Sequence, residues 1–409
     1  MSGEMHVLAN GLTVAVDPLP GAESVAVGLY ASVGSRSEPE RLAGLAHLVE
    51  HMVFKGAGGR DTRALAEVIE DVGGSLNAWT ARDQTVFHGR ALARDLPLVA
   101  GLIADLVRAP HFDAEHLERE KQVILSELGE ATDAPDDLVH DHLFEAAFDR
   151  QALGRPVLGS QRTIVAVTQQ DCRDWLGREF VPSRLVLAAS GKVDAAQLLS
   201  LAERLFGDIA PADPPPVAPA QFTGGVRNDP RSFEQAHWCL AFAGLPASDP
   251  LLPALGLFVQ ALGGGTSSRL FQELREEHGL AYSIYAWNQA FADTGLVGIA
   301  CAAERRQAAR SVELARDLLA ATADGLTQAE LDRARAQVEA SLLMSLETAQ
   351  GRADQMARSI EVFARIVPLD ELLSQIRGVT VEEAREVGRA LLDGPAAVAS
   401  VGAKLALAA

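Results

Sequence analysis

The sequence predicts an α+β protein of two similar domains in tandem, each an antiparallel-rich sheet packed by helices. Three observations carry this. Strand-like and helix-like patterns alternate along the chain, a proline-rich stretch without periodicity interrupts it near the middle, and segments on either side of that stretch resemble one another. At 409 residues the chain also exceeds one ordinary core. The predicted division is a first domain over 1–211, a linker over 212–225 and a second domain over 226–409.

The elements follow in order. Residues 6–9 are extended and largely apolar, Asn10-Gly11 is a strong turn dipeptide, and residues 12–16 alternate, which together predict a hairpin. A longer strand is expected over 24–33. A helix follows over 44–54, with Gly56 placed to end it. Residues 62–72 read as another helix, stopped by Gly73-Gly74. Strands are expected over 75–80 and 85–91. Helices are expected over 96–108 and 113–130, the second with Asp113 as N-cap. The linker, ADPPPVAPAQFTGG, should be extended and exposed.

The internal repeat is faint. RALAEVIEDVGGSLNAW from Arg63 aligns with RLFQELREEHGLAYSIYA from Arg269, each a helix, a glycine stop and an aromatic-bearing strand. LVLAASGKV from Leu185 resembles AAVASVGAKL from Ala396. Duplication of one α+β domain accounts for both pairs; coincidence between ordinary helix–strand units is the alternative.

Composition narrows the function. The net charge is −19, from 55 acidic and 36 basic residues, so there is no basic footprint for nucleic acid or an anionic membrane. Basic peptides are compatible ligands, although acidity can serve solubility alone. Cys172, Cys239 and Cys301 are odd in number and far apart, which provides neither a disulfide framework nor a cysteine zinc motif. They are expected to be buried small hydrophobes. No basic segment followed by an apolar run opens the chain, and no apolar run approaches the roughly 18 residues of a membrane span. A soluble protein of the reducing cytoplasm is expected.

The segment GLAHLVEHMVFKG contains H-x-x-E-H at His47, Glu50 and His51. On a helix, positions four apart share a face, so both imidazoles can reach one ion. Leu45, Leu48, Val49 and Met52 form an apolar stripe, and the His-Glu-His set lies opposite. A catalytic zinc normally takes three protein ligands and keeps one open position. The helix DAEHLEREKQVILSELGE offers a further ligand, since Glu120 and Glu127 share a face among Leu117, Val123 and Ile124. A carboxylate in an apolar stripe is expensive unless paired or bound to a cation. Read without the metal, the five residues could be a solvated helix face and the two acids could be salt-bridged. His111, His116, His140 and His142 are expected to be surface or packing residues.

With these residues in view, the sequence resembles the pitrilysin-like family of zinc peptidases. That family includes insulin-degrading enzymes, mitochondrial processing peptidase and short bacterial homologues. The inverted H-x-x-E-H order is its hallmark. GSRSEPERLAGLAHLVEHMVFKG from Gly34, GGSLNAWTARDQTVFHG from Gly73 and LGRPVLGS from Leu153 also look like family segments. The resemblance implies the processing-peptidase-like metallohydrolase fold, with the zinc site in the first domain. It implies that His47, His51 and Glu127 bind one Zn2+ per subunit and that Glu50 is the general base. Glu120 matches a supporting acid beside the ligands, and Asn77 and Ala78 match the edge strand that lies beside substrate. Arg275 and Tyr282 match an Arg–Tyr pair in the second domain that positions substrate and stabilises the oxyanion.

The implied activity is zinc-dependent endoproteolysis of peptides or small unfolded polypeptides. Longer family members carry four such domains, so a chain with two implies a homodimer, or a heterodimer with a homologue. A non-catalytic or regulatory subunit of a heterodimeric processing peptidase is the alternative activity class, and a binding module with a structural zinc is a third.

Overall fold

The structure is a computed structural model that describes residues 3–406. The chain forms two compact units. The first comprises the described residues of Met1–Leu128 with Pro156–Ala218 and Leu343–Leu369. The second comprises Gly129–Arg155, Pro219–Leu342 and the described residues of Asp370–Ala409. Helix and strand alternate in both, so the class is α+β.

The first unit is built on a six-stranded sheet. Its strands are β1 (Glu4–Val7), β2 (Thr13–Pro18), β3 (Ser24–Ala31), β6 (Ser75–Thr80), β7 (Thr85–Leu92) and β8 (Leu185–Gly191); β4 (Gly56–Ala57) and β5 (Arg60–Asp61) form a separate small ribbon. The sheet order is β1-β2-β8-β3-β7-β6, antiparallel except where β2 lies parallel to β8. The opening hairpin forms with its strands offset from the expected 6–9 and 12–16. Asn10 sets the turn by accepting the Leu12 N–H on its side chain at 3.1 Å, and Gly11 takes φ 97°. β3 and β8 are buried along almost their whole length, as strands covered on both faces must be.

One face of this sheet packs against helices Leu45–Val53, Leu96–Arg108, Gln169–Glu179 and Ala195–Phe206, forming the larger core. The other face is covered by helix Ala349–Phe363, which arrives from late in the sequence. Its Ala353, Met356, Ala357 and Ile360 meet Ala15, Tyr30, Val86, Val186 and Ala188. Polar contacts pin the same helix. The Tyr30 hydroxyl donates to Asp354 at 2.6 Å, and Arg352 donates to the fully buried Asp17 at 2.8 Å.

The second unit repeats the plan. Its strands are β9 (Gly225–Asp229), β10 (Ala236–Gly244), β11 (Ala281–Ala290), β12 (Gly295–Ala303) and β13 (Ala396–Val401), in the order β11-β12-β10-β13-β9. Only β13 and β9 are parallel. Chain order and pairing place β2, β3, β6, β7 and β8 in the same roles as β9, β10, β11, β12 and β13, so the repeat read from Arg63/Arg269 and Leu185/Ala396 corresponds to matched topology. Helix Pro135–Ala147, from the first half of the sequence, covers the face of this sheet where Cys239, Ala397 and Ala399 point. Each sheet is thus covered on one face by a helix that belongs, in sequence, to the other half.

Residues 210–224 form no helix or strand and are mostly exposed, as the proline content requires. Cys172, Cys239 and Cys301 are buried and unbridged. Among the described residues no helix is long and apolar enough to cross a membrane.

Replacing Arg352 by Met would remove one cation from the fully buried Asp17 carboxylate. Because Arg352 is partly exposed, a loss of about 2–4 kcal/mol is expected, below the full cost of breaking a buried pair. Denaturant unfolding of Arg352→Met protein checks this, and a change under about 0.5 kcal/mol would contradict the tethering role.

Candidate metal centre

The motif helix Leu45–Val53 has nine residues, too short to hold itself in water. Two constraints fix it. Leu45, Ala46, Leu48, Val49, Met52 and Val53 are buried against the sheet, leaving His47, Glu50 and His51 on the opposite, partly open side. The second constraint is a cap. Glu38, only 4% exposed, accepts the N–H of Gly44 at 2.8 Å on one carboxylate oxygen and that of Ala46 at 2.6 Å on the other. Gly44 has φ 94°, and a Cβ there would lie 2.6 Å from the Leu158 carbonyl, so only glycine fits.

The segment before the cap holds the edge strand. Ser35 and Arg36 donate their backbone N–H groups to the carbonyls of Ala81 and Arg82, and Arg36 pairs with Asp83 at 3.3 Å. Gly34 packs so closely that a Cβ would approach the Ala81 carbonyl to 2.2 Å. One stretch therefore grips both the start of the motif helix and the end of β6.

Helix Ala114–Asp133 brings in the carboxylates. Asp113 caps it as expected, accepting from Glu115 at 2.9 Å. Glu127 sits 4.0 Å from His47 Nε2 and 3.8 Å from His51 Nε2, and the candidate ligand atoms of these three residues lie within 4.8 Å of one another. Glu120 is buried and reaches His51 Nδ1 at 3.2 Å with one oxygen and Lys55 Nζ at 3.0 Å with the other. It thereby fixes the His51 ring so that Nε2 points toward Glu127. Val123 flanks these acids on the helix but is 42% exposed, so that side is not buried. The buried side of the helix runs through Leu117 and Ile124 and continues onto Lys121.

The electrostatics suit a cation. Burial, with the neighbouring His51 adding to it, lowers the His47 pKa to about 4, which leaves its imidazole neutral and able to ligate. Burial raises the Glu50 pKa and Glu127 adds to that; the nearby Thr80 hydroxyl and His51 act in the opposite sense. Thr80 biases Glu50 without reaching hydrogen-bonding geometry, since Thr80 Oγ1 and Glu50 Oε2 are both buried and unpartnered. His47 Nδ1 is likewise buried without a partner. Two imidazole nitrogens and a carboxylate converging at this spacing fit the donor set of a three-ligand zinc site.

The remaining residues take distinct places. Asn77 and Ala78 lie on β6, an outer strand of the first sheet. Asn77 is exposed and its side chain accepts the Ala78 N–H at 2.9 Å, while Ala78 packs into the core. Arg275 and Tyr282 belong to the second unit. Arg275 is on helix Phe271–Glu277, which has π-type bonding, and its guanidinium lies 4.8 Å over the Phe271 ring. Tyr282 is the extra residue of a bulge in the outer strand β11, between Ala281 and Ser283, and is 71% exposed.

Glu38, Lys55 and Thr80 are functional neighbours that sequence periodicity does not single out. His140 packs against Tyr285 and Trp287, and His142 lies near Glu145 and Asp229, as packing residues do.

The depressed His47 pKa sets a pH dependence. The unfolded chain takes a proton at His47 near the ordinary pKa of 6.5, and the folded metal-free chain only near 4. Stability from this group is therefore complete above pH 6.5 and is lost as pH falls toward 4. Between pH 7.5 and pH 5 the loss should be about 2 kcal/mol. Urea unfolding of metal-free protein at both pH values measures it, and His47→Gln protein should lose that much less over the same interval.

Comparison with known proteins agrees with this geometry. Residues 13–161 match the family described as Insulinase (Peptidase family M16), and residues 166–338 match the one described as Peptidase M16 inactive domain. The chain is 36% identical to an uncharacterized zinc protease of Mycobacterium tuberculosis, over 98% of this chain and 94% of that one. It is 30% identical to an uncharacterized zinc protease of Bacillus subtilis, over 97% of each. The fold is shared with a protease from Helicobacter pylori at TM-score 0.90 and 20% identity, covering 98% of this chain and 99% of that one. It is also shared with a peptidase M16 inactive domain structure from Pseudomonas fluorescens at TM-score 0.92 and 22% identity, covering 100% and 99%. Matched over both units and along nearly its whole length, the chain belongs to the M16, insulinase or pitrilysin-like, peptidase family.

Proposed function

We propose that this protein is a zinc metalloendopeptidase acting on peptides or small unfolded polypeptides. The observation that carries the reading is the convergence of His47, His51 and Glu127 beside Glu50, whose buried Oε2 has no partner of its own. His47, His51 and Glu127 would hold one Zn2+ per subunit. The zinc would supply Lewis acidity, polarising the scissile carbonyl and lowering the pKa of water. Glu50, with a pKa raised by burial, takes the proton of the attacking water and passes it to the leaving amine. Glu120 holds His51 in one tautomer, and Lys55 balances the charge of Glu120.

Substrate would lie extended along β6, pairing backbone to backbone beside Asn77 and Ala78. Such pairing selects for an unfolded chain rather than a particular side chain. Tyr282 and Arg275 would hydrogen-bond the oxyanion. We assign them to the site of a partner subunit in a homodimer, a reading supported by the exposure of the Tyr282 side chain on its bulge. A non-catalytic subunit is the weaker reading, because the ligand set and the base are all present.

Glu50→Gln protein should retain zinc by elemental analysis and lose cleavage of a quenched fluorescent peptide by at least a thousandfold; undiminished activity would sink the assignment. Tyr282→Phe should lower kcat by on the order of a hundredfold, the usual effect of one oxyanion donor. Mixing the two inactive variants should regain activity if sites are shared between subunits, since a mixed dimer contains one site with both groups. No recovery under conditions of subunit exchange would place the two residues outside a shared site.

A further inference from the structure

We propose that a groove in the first unit, separate from the metal centre, binds a free monocarboxylic acid with an aliphatic tail. The cavity has a volume of about 380 Å³, within the range of small-molecule sites. Phe112, Leu176, Phe180 and Leu185 form buried walls, and Arg108 and Arg173 are exposed where it opens. None of the metal-centre residues lines it.

The two arginines differ. Arg108 is committed, donating to the Leu205 carbonyl and to Asp208 at 2.8 Å. Arg173 makes one long hydrogen bond, 3.4 Å to the His111 carbonyl, and among the described residues no carboxylate pairs with it. Arg173 therefore stands at the mouth of an apolar groove without a carboxylate counterion. Guanidinium forks match carboxylates in geometry, and one free guanidinium balances one negative charge. The monocarboxylate follows from that charge, and the aliphatic tail follows from the walls.

The groove is held open by the backbone. Gly177 lies one turn beyond Arg173 on helix Gln169–Glu179 and lines the same cavity. A Cβ built there would meet nothing within 4 Å. Glycine inside a helix carries an entropic cost, and here it leaves space a side chain would take. On the opposite wall Phe112 has φ 49°, a conformation that aromatic residues adopt only when their surroundings force it. Its carbonyl accepts from Gln169 Nε2 at 2.6 Å, and its ring is 2% exposed. The wall is therefore fixed before any ligand arrives.

The open space at Gly177 supplies the test. Calorimetric titration of the full-length protein with decanoate, below its micelle concentration, should show saturable binding. Decanol, which lacks the charge, and acetate, which lacks the tail, should each bind at least tenfold more weakly. Gly177→Leu should fill the groove and weaken decanoate binding at least tenfold without lowering the melting temperature. Arg173→Gln, a change at an exposed position, should do the same even if the leucine variant folds poorly. Decanoate binding that is absent in the unaltered protein, or equally strong in Arg173→Gln, would overturn the proposal. Equal binding of decanol would overturn the carboxylate assignment and leave a plain apolar groove.

Discussion

The geometry of the metal centre is measured from one buried carboxylate. Glu38 spans the start of the motif helix with both oxygens, so the first turn cannot slip without leaving two amide groups unpaired in the interior. The helix has nine residues, and its phase is fixed between this cap and its apolar face. The same stretch, through Ser35 and Arg36, binds residues 81 and 82 at the end of β6. The distance from Glu50 to β6 is thus set within one continuous segment.

That segment presents an imbalance that a cation would resolve. Glu50, Glu120 and Glu127 gather around two imidazoles, and three carboxylates at close quarters oppose one another's charge. Lys55 offsets Glu120 directly. Among the described residues Glu127 has only imidazoles within ion-pair distance, and Glu50 responds to burial by holding its proton more tightly. The two acids on helix Ala114–Asp133 therefore divide their work by depth. Glu120, nearly enclosed, holds the His51 ring; Glu127, about one-third exposed, faces both imidazoles.

The motif helix was legible because its apolar residues recur with the helical period and the polar set falls opposite; the structure keeps both faces where that period puts them. Glu120 and Glu127 were legible as carboxylates set in an apolar stripe, but the choice of Glu127 between them came from family resemblance, since no local pattern ties either to a histidine on another helix. Val123 stands beside the acids as its spacing requires, but its exposure shows that the stripe is buried only on the side of Leu117 and Ile124, which periodicity alone does not reveal. The exchange of helices Pro135–Ala147 and Ala349–Phe363 was not legible at all. An amphipathic helix announces that one face is buried but not which sheet buries it, and the parallel pairing of β2 with β8 leaves no local trace either.

The duplication explains why one copy carries the ligands. Between β3 and β6 the first copy places the motif helix; between β10 and β11 the second places helix Leu252–Gly263, whose only polar side chain is Gln260. That helix carries no titratable group, so it offers none of the metal-ligating side chains found on the motif helix. The second copy instead diverges at its outer strand. Where β6 is regular, β11 bulges at Tyr282 and turns a phenol into solvent. A bulge gives up ladder pairing, and an exposed aromatic ring recovers nothing from its own core. Such a departure from the pattern of the first copy gains stability nowhere in the second unit, so its use is best sought in what the phenol can reach outside it.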